Sequence, residues 1–87
     1  MMNSNIDHKG VLFHIQTQDK GPKVNYVESL IFKSGKLLSS RKASYLSCLR
    51  SPELKEKIEQ LIKGQHHTII KEITEGKFDH FLNSTDP

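Results

Sequence analysis

Tryptophan is absent from this 87-residue chain, and cysteine occurs once. The single thiol, Cys48, leaves no partner for an intramolecular disulfide and excludes zinc sites built from two cysteines of one chain. That usage fits a reducing cytoplasm. No stretch approaches the roughly 18 apolar residues of a membrane span, and none resembles the apolar segment of a signal peptide. Gly35, Gly64 and Gly76 are isolated, so no G-x-G-x-x-G or G-K-[ST] phosphate cradle occurs. Internal repeats and low-complexity linkers are also missing. Hydrophobic residues are 34% of the chain and charged residues 26%. The reading is one small domain with a thin core, burying about 60% of its unfolded surface.

Charge is unevenly spread along the chain. The net charge is +3, but residues 1–50 hold eight Lys/Arg against three acids, and residues 51–87 hold five against seven. Such asymmetry can mark a face for an anionic partner. Lysines that solvate strand edges give the same count.

Residues 1–9 are polar and without a period, which predicts a disordered N-terminus. Residues 82–87 read as a disordered tail, leaving a domain at 10–81. Val11, Phe13, Ile15 and Thr17 alternate with Leu12, His14 and Gln16, the period of a half-buried strand. Turn chemistry at Gly21-Pro22 separates it from a second strand over 26–33, rich in β-branched and aromatic residues. The buried face of that strand is open: Tyr26, Leu30 and Phe32 are larger, but Glu28 interrupts them. Ser34-Gly35 signals a hairpin into a third strand over 36–42. Residues 43–49 read as the end of that strand or as one helical turn.

A helix is predicted over residues 52–75. Ser51 suits the N-cap, Pro52 the first position and Gly76 the C′ position. Leu54, Ile58, Leu61, Ile62, Ile69 and Ile73 fall within about a third of a turn at 100° per residue. Gly64 is a potential break, costing about 1 kcal/mol relative to Ala. The expected fold is α+β: a three-stranded antiparallel meander covered on one face by a long C-terminal helix. Twenty-four helical residues span about 36 Å, against about 23 Å for a seven-residue strand. Phe78, Phe81 and Leu82 could fold back over part of the surplus stripe of Ile69, Ile70 and Ile73, or a second copy of the chain could cover it; the second is the expectation, a homodimer self-associating through Ile69, Ile70, Ile73 and Phe78.

No residue set for catalysis, metal or cofactor emerges. His66 and His67 point about 100° apart on a helix, and the i,i+4 chelating pattern is missing. Cys48 has no histidine nearby in sequence and reads as a small buried hydrophobe. Glu53, Glu56 and Glu59 sit among lysines on a solvated face. The chain is thus read as a non-catalytic protein-interaction module with no membrane contact. The alternative is nucleic-acid binding by the hairpin's Lys33, Lys36, Arg41 and Lys42, whose neighbouring serines also suit phosphate contacts.

Three segments carry a resemblance: Phe13 to Gly21, Ser34 to Tyr45, and Gln65-His66 leading to Gly76-Lys77-Phe78-Asp79. Together they resemble a small bacterial domain family of unknown function. Its pattern is a Q-T-E-D-like strand end, a hairpin, and a Gln-His helix ending in Gly-x-Phe-Asp. Gln18 and His67 depart from that pattern. The resemblance implies a self-contained bacterial, cytoplasmic module, and makes Gln16, Thr17, Asp19, Gln65 and His66 the polar residues expected to act together.

Overall fold

The computed structural model describes residues 1–82; residues 83–87 of the expected tail lie outside the described residues. Four strands, β1 (Met2–His8), β2 (Val11–Asp19), β3 (Tyr26–Lys33) and β4 (Lys36–Ser44), form one antiparallel sheet in chain order. Helix α1 (Leu54–Thr74) packs on one face, chiefly over β2. Short 3-10 turns at Leu46–Cys48 and Asp79–Phe81 flank it. The α+β class stands, with four strands rather than three.

The added strand overturns the expected disorder of residues 1–9. Met2, Ser4, Ile6 and His8 are half-buried and alternate with exposed Asn3, Asn5 and Asp7. The period is two, but polar and small residues share it with only Met2 and Ile6. Its partner supplies what hydrophobicity does not: Ile6 pairs with Phe13 and Ser4 with Ile15. A second overlooked signal is Lys9-Gly10, both at positive φ (54° and 78°), which closes the β1–β2 hairpin. Ser34-Gly35 does the same for β3–β4, at 49° and 86°. Positive φ at both central residues is the turn whose twist matches paired strands, and Gly reaches it without a Cβ clash.

Register settles the open face of β3. Ile15 lies opposite Ile31 and Thr17 opposite Ser29, so these four share the helix side. Val27, Ser29 and Ile31 are fully buried, whereas Tyr26, Glu28, Leu30 and Phe32 occupy the uncovered face. Residues 43–44 finish β4, and Tyr45 is buried just before the first 3-10 turn. Cys48, expected to be buried, is half-exposed in that turn.

Helix α1 begins at Leu54, two residues later than the Ser-Pro signal suggests. Ser51 still holds the entry: its hydroxyl accepts from the Glu53 N–H (3.1 Å) and its carbonyl from the Leu54 N–H (3.2 Å). Gly64 is exposed and the helix runs through it unbroken. At the far end Gly76, at φ 87°, donates to the Ile73 carbonyl, and Lys77 donates to that of Glu72. This paired arrangement satisfies carbonyls that the helix ladder leaves free.

The core is Phe13, Ile15, Ile31, Ile69, Ile73 and Phe78. That location corrects the expected self-association surface. Ile69 and Ile73 are 0% exposed and Phe78 is 7%, with Phe13 and Phe78 edge to face at 6.4 Å. Ile70 is half-buried against the same cluster. The overhang is at the other end of α1, for a positional reason. Twenty-one helical residues reach about 32 Å and nine strand residues about 30 Å, so lengths nearly match. The chain leaves β4 and travels nine residues before the helix starts, placing the first turns of α1 beyond the sheet.

Open space around Gly64 makes a direct test. Nothing lies within 4 Å of a Cβ built there, and its φ is not positive. Gly64→Ala is expected to raise the unfolding free energy by about 0.5–1 kcal/mol in urea denaturation. An unchanged midpoint would show that the position is not a free helix site.

Candidate functional site

Where α1 crosses the sheet, one chain of hydrogen bonds joins the helix to all four strands. Gln65 Nε2 donates to the Arg41 carbonyl oxygen of β4 (3.1 Å) and to Ser29 Oγ of β3 (3.0 Å). Ser29 Oγ lies 2.6 Å from Thr17 Oγ1 of β2, which lies 2.8 Å from His66 Nδ1. His66 Nε2 then reaches Ser4 Oγ of β1 at 2.8 Å. Thr17, Ser29 and His66 are all 0% exposed. Of the five polar residues expected to act together, Thr17, Gln65 and His66 meet here.

The direction of this chain follows from its first acceptor. A backbone carbonyl accepts only, so Arg41 fixes the Gln65 amide with its nitrogen toward both partners. Ser29, already accepting from Gln65, has Thr17 as the outlet for its own proton. Thr17 then donates to His66 Nδ1, which must be bare. The imidazole proton sits on Nε2 and is donated to Ser4. A nucleophilic serine needs the opposite polarity, with its hydroxyl donating to a ring nitrogen. With this polarity the ring donates to Ser4 Oγ.

Burial holds His66 below the ordinary histidine range, and the nearby His67 and His14 lower it further. A neutral ring suits the network, because a second ring proton would meet the Thr17 hydroxyl head-on.

Gln16 and Asp19 stand apart. Gln16 faces the uncovered side of the sheet, opposite Leu30 and Asn3. Asp19 ends β2, where its Oδ1 accepts from Tyr45 Oη (2.6 Å) and the Gly21 N–H (2.9 Å). That bond, with burial and the carboxylate charge, pushes the Tyr45 phenol up to about 12. The pair pins the β4–α1 connector to the β2–β3 loop.

The four basic hairpin residues do not form one patch. Arg41 makes a two-pronged ion pair with Glu72 of α1, both contacts at 2.9 Å. That bond holds the Glu72 carboxyl below its usual range. Lys33 donates to the Phe81 carbonyl. Lys42 points to the uncovered face, 5.0 Å from the centre of the Tyr26 ring, and Lys36 is exposed at the turn. At the same end His8 and Lys9 both reach Asp79, and the Lys9 hydrogen bond leads in lowering that carboxyl.

The least satisfied surface is apolar. Leu54, Ile58, Leu61 and Ile62 are only half-buried, in the part of α1 beyond the sheet. Leu54, Ile58 and Ile62 wall a groove of about 430 Å³ with Met1, Asp19, Lys55 and Glu59. Leu61 borders a second hollow of about 400 Å³ with Ser44 and Cys48. Met1 (72%), Val24 (48%), Leu46 (61%) and Leu49 (40%) are exposed on this side. At 100° per residue, Leu54 and Leu61 lie roughly a quarter-turn round from the direction of His66, Ile69 and Ile73. One stripe in sequence is two surfaces in space.

Sequence reasoning missed Ser4, Ser29 and Glu72. Ser4 was hidden with β1, and the Lys9-Gly10 turn was the signal that would have exposed it. Ser29 sits at an alternating position whose burial only register revealed. Among the described residues, no three His, Cys, Asp or Glu side chains are placed to share a metal ion, and no helix is long and apolar enough to cross a membrane.

Two measurements check the network. Thr17→Val strands His66 Nδ1 and the Ser29 proton, and is expected to cost about 1–3 kcal/mol in denaturant unfolding. Nitrogen shifts of His66 should report the Nε2–H tautomer; the reverse tautomer would refute the assigned polarity. The pH dependence follows from the lowered folded value. The unfolded chain protonates His66 near 6.5 while the folded chain resists. Stability from this residue is thus complete above about pH 6.5 and is lost as pH falls below it. Subtracting a His66→Gln profile should remove that window; an identical profile would show that the ring does not couple.

No protein-family model matches this chain, and neither a curated protein nor a solved structure is found to be similar to it, so the functional reading rests on these residues.

Proposed function

We propose that this chain is a non-catalytic protein-interaction module whose contact surface is the first half of α1. The observation that carries it is the set Leu54, Ile58, Leu61 and Ile62, left half-exposed while Ile69 and Ile73 fill the core. Apolar surface concentrated at one end of a small domain is where partners bind, because covering it releases ordered water. Two features support the non-catalytic part. His66 has both nitrogens within hydrogen-bond distance of side chains of the fold, Thr17 and Ser4. Asp19 and Glu72 are likewise bound, to Tyr45 and Arg41.

The nucleic-acid alternative has less support. Arg41 is neutralised by Glu72, and Lys33 and Lys42 serve different faces.

The test separates residues that hold the fold from residues held for a partner. At high dilution, Ile69→Ala and Ile73→Ala are expected to cost about 2–5 kcal/mol of stability, as buried truncations do. Ile58→Ser and Leu61→Ser should cost about 1 kcal/mol or less, the range of surface changes. Losses at Ile58 and Leu61 as large as those at Ile69 would make them core and end this reading.

A further inference from the structure

Four strands in one open sheet leave two edges, β1 and β4, and the two are built differently. An uncovered edge carries a row of unpaired N–H and C=O groups that will pair with another strand unless something blunts it. On β4, Lys36 and Lys42 stand on the strand, and its register shifts where it faces Ile31 and Phe32. Both features discourage a further strand. β1 has neither: Met2–His8 holds no lysine and no proline, and it runs in unbroken register against β2. Among the described residues, no strand pairs with its outer side.

The hairpin fixes which groups face outward. The two-residue turn at Lys9-Gly10 makes His8 and Val11 the closing hydrogen-bonded pair, and bonded pairs recur at every second residue. Ile6, Ser4 and Met2 therefore aim their backbone groups at β2, and Asn3, Asn5 and Asp7 aim theirs away from it. Leu12, opposite Asp7, has the matching phase: its carbonyl is turned to β3 and accepts from the Ser34 N–H (2.9 Å). Asn3, Asn5 and Asp7 are also exposed.

Such an edge fits its own copy. With a two-fold axis at Asn5, perpendicular to the sheet, Asn5 meets Asn5 of the other copy and Asn3 meets Asp7. Every outward group of the three residues then finds a partner. An axis at Asp7 would set two carboxylates together, and one at Asn3 would leave Asp7 unpaired. The Asn5 register instead puts each Asp7 carboxylate beside an Asn3 amide donor. His14 already holds the Asn5 side chain, with Nδ1 2.8 Å from Asn5 Oδ1, which lowers the cost of ordering it. The helices do not collide. Each α1 lies chiefly over β2, and the β2 strands flanking a β1 pair stand about 14 Å apart. Packed helices need only about 8–10 Å.

We infer that two copies of this chain join antiparallel along β1, merging their sheets into one with both helices on the same face. The contact uses backbone groups and polar side chains, and goes beyond the apolar surface of α1.

Sedimentation equilibrium of the full chain over micromolar concentrations tests this, and the expected mass is twice 10.0 kDa. Asn5→Pro removes an outward N–H and no bond to β2, so it should sediment as one chain with its helix content retained. Asn5→Lys sets two cations at the axis and should weaken pairing roughly fivefold, which keeps the test decisive if the proline variant unfolds. Ile58→Glu, on the α1 surface, should still pair. In a Cys48→Ser background, Asn5→Cys should oxidise to a disulfide-linked dimer, since a bonded pair brings its Cα atoms to about 5.5 Å. A wild type at one chain's mass overturns the inference. So does a dimer that ignores Asn5→Lys, fails to cross-link through Asn5→Cys, or dissociates with Ile58→Glu. None of these outcomes touches the dilute-stability comparison of Ile58 with Ile69, on which the reading of α1 stands.

Discussion

His66 fixes how the helix lies on the sheet. Its ring is buried with one nitrogen on β2 and the other on β1, and the neighbouring Gln65 extends the chain to β3 and β4. A buried polar group without a partner costs far more than a satisfied one contributes. Sliding α1 by one residue, or rotating it by the matching 100°, would strand several such groups together. Dispersion and hydrophobic contact alone are tolerant of such slips, whereas this chain of donors and acceptors is not. The Arg41–Glu72 pair reinforces the same placement one helical turn and a half further on.

From that placement the rest follows. With His66 over Thr17, the positions three and seven residues later, Ile69 and Ile73, reach the core around Phe13 and Ile31. The positions before Gln65 are carried past the end of the sheet. The network that secures one half of the helix therefore leaves the other half bare. The apolar contact surface of the proposed interaction module is a consequence of the same register, not a separate feature.

Much of the fold was legible. The alternation of Val11 to Thr17, the Ser34-Gly35 turn and the helical stripe each rest on local periodicity or turn chemistry. Gly76 was read correctly as a helix end because positive φ is a local requirement. β1 was not legible, since Ser4 and His8 fill positions that hydrophobic patterning expects to be apolar. The candidate site was half legible. Thr17, Gln65 and His66 were singled out, yet Gln16 and Asp19 with them. A period-two strand puts Gln16 on the opposite face from Thr17, and Asp19 lies beyond the helix crossing.

The amino-acid sequence by itself determined the element types, the hairpin at Ser34-Gly35 and the apolar face of β2, because each depends on neighbours within a few residues. It also determined that the apolar stripe runs along α1 from Leu54 to Ile73. Only the tertiary structure decided which part of that stripe is surplus. The sequence shows Leu54 to Ile73 as one continuous face, with no mark of where the sheet begins beneath it. That boundary is set by the nine-residue path from Ser44 to Leu54 and by the hydrogen bonds of His66. Both are relations between segments far apart in the chain, and they exist only once it has folded.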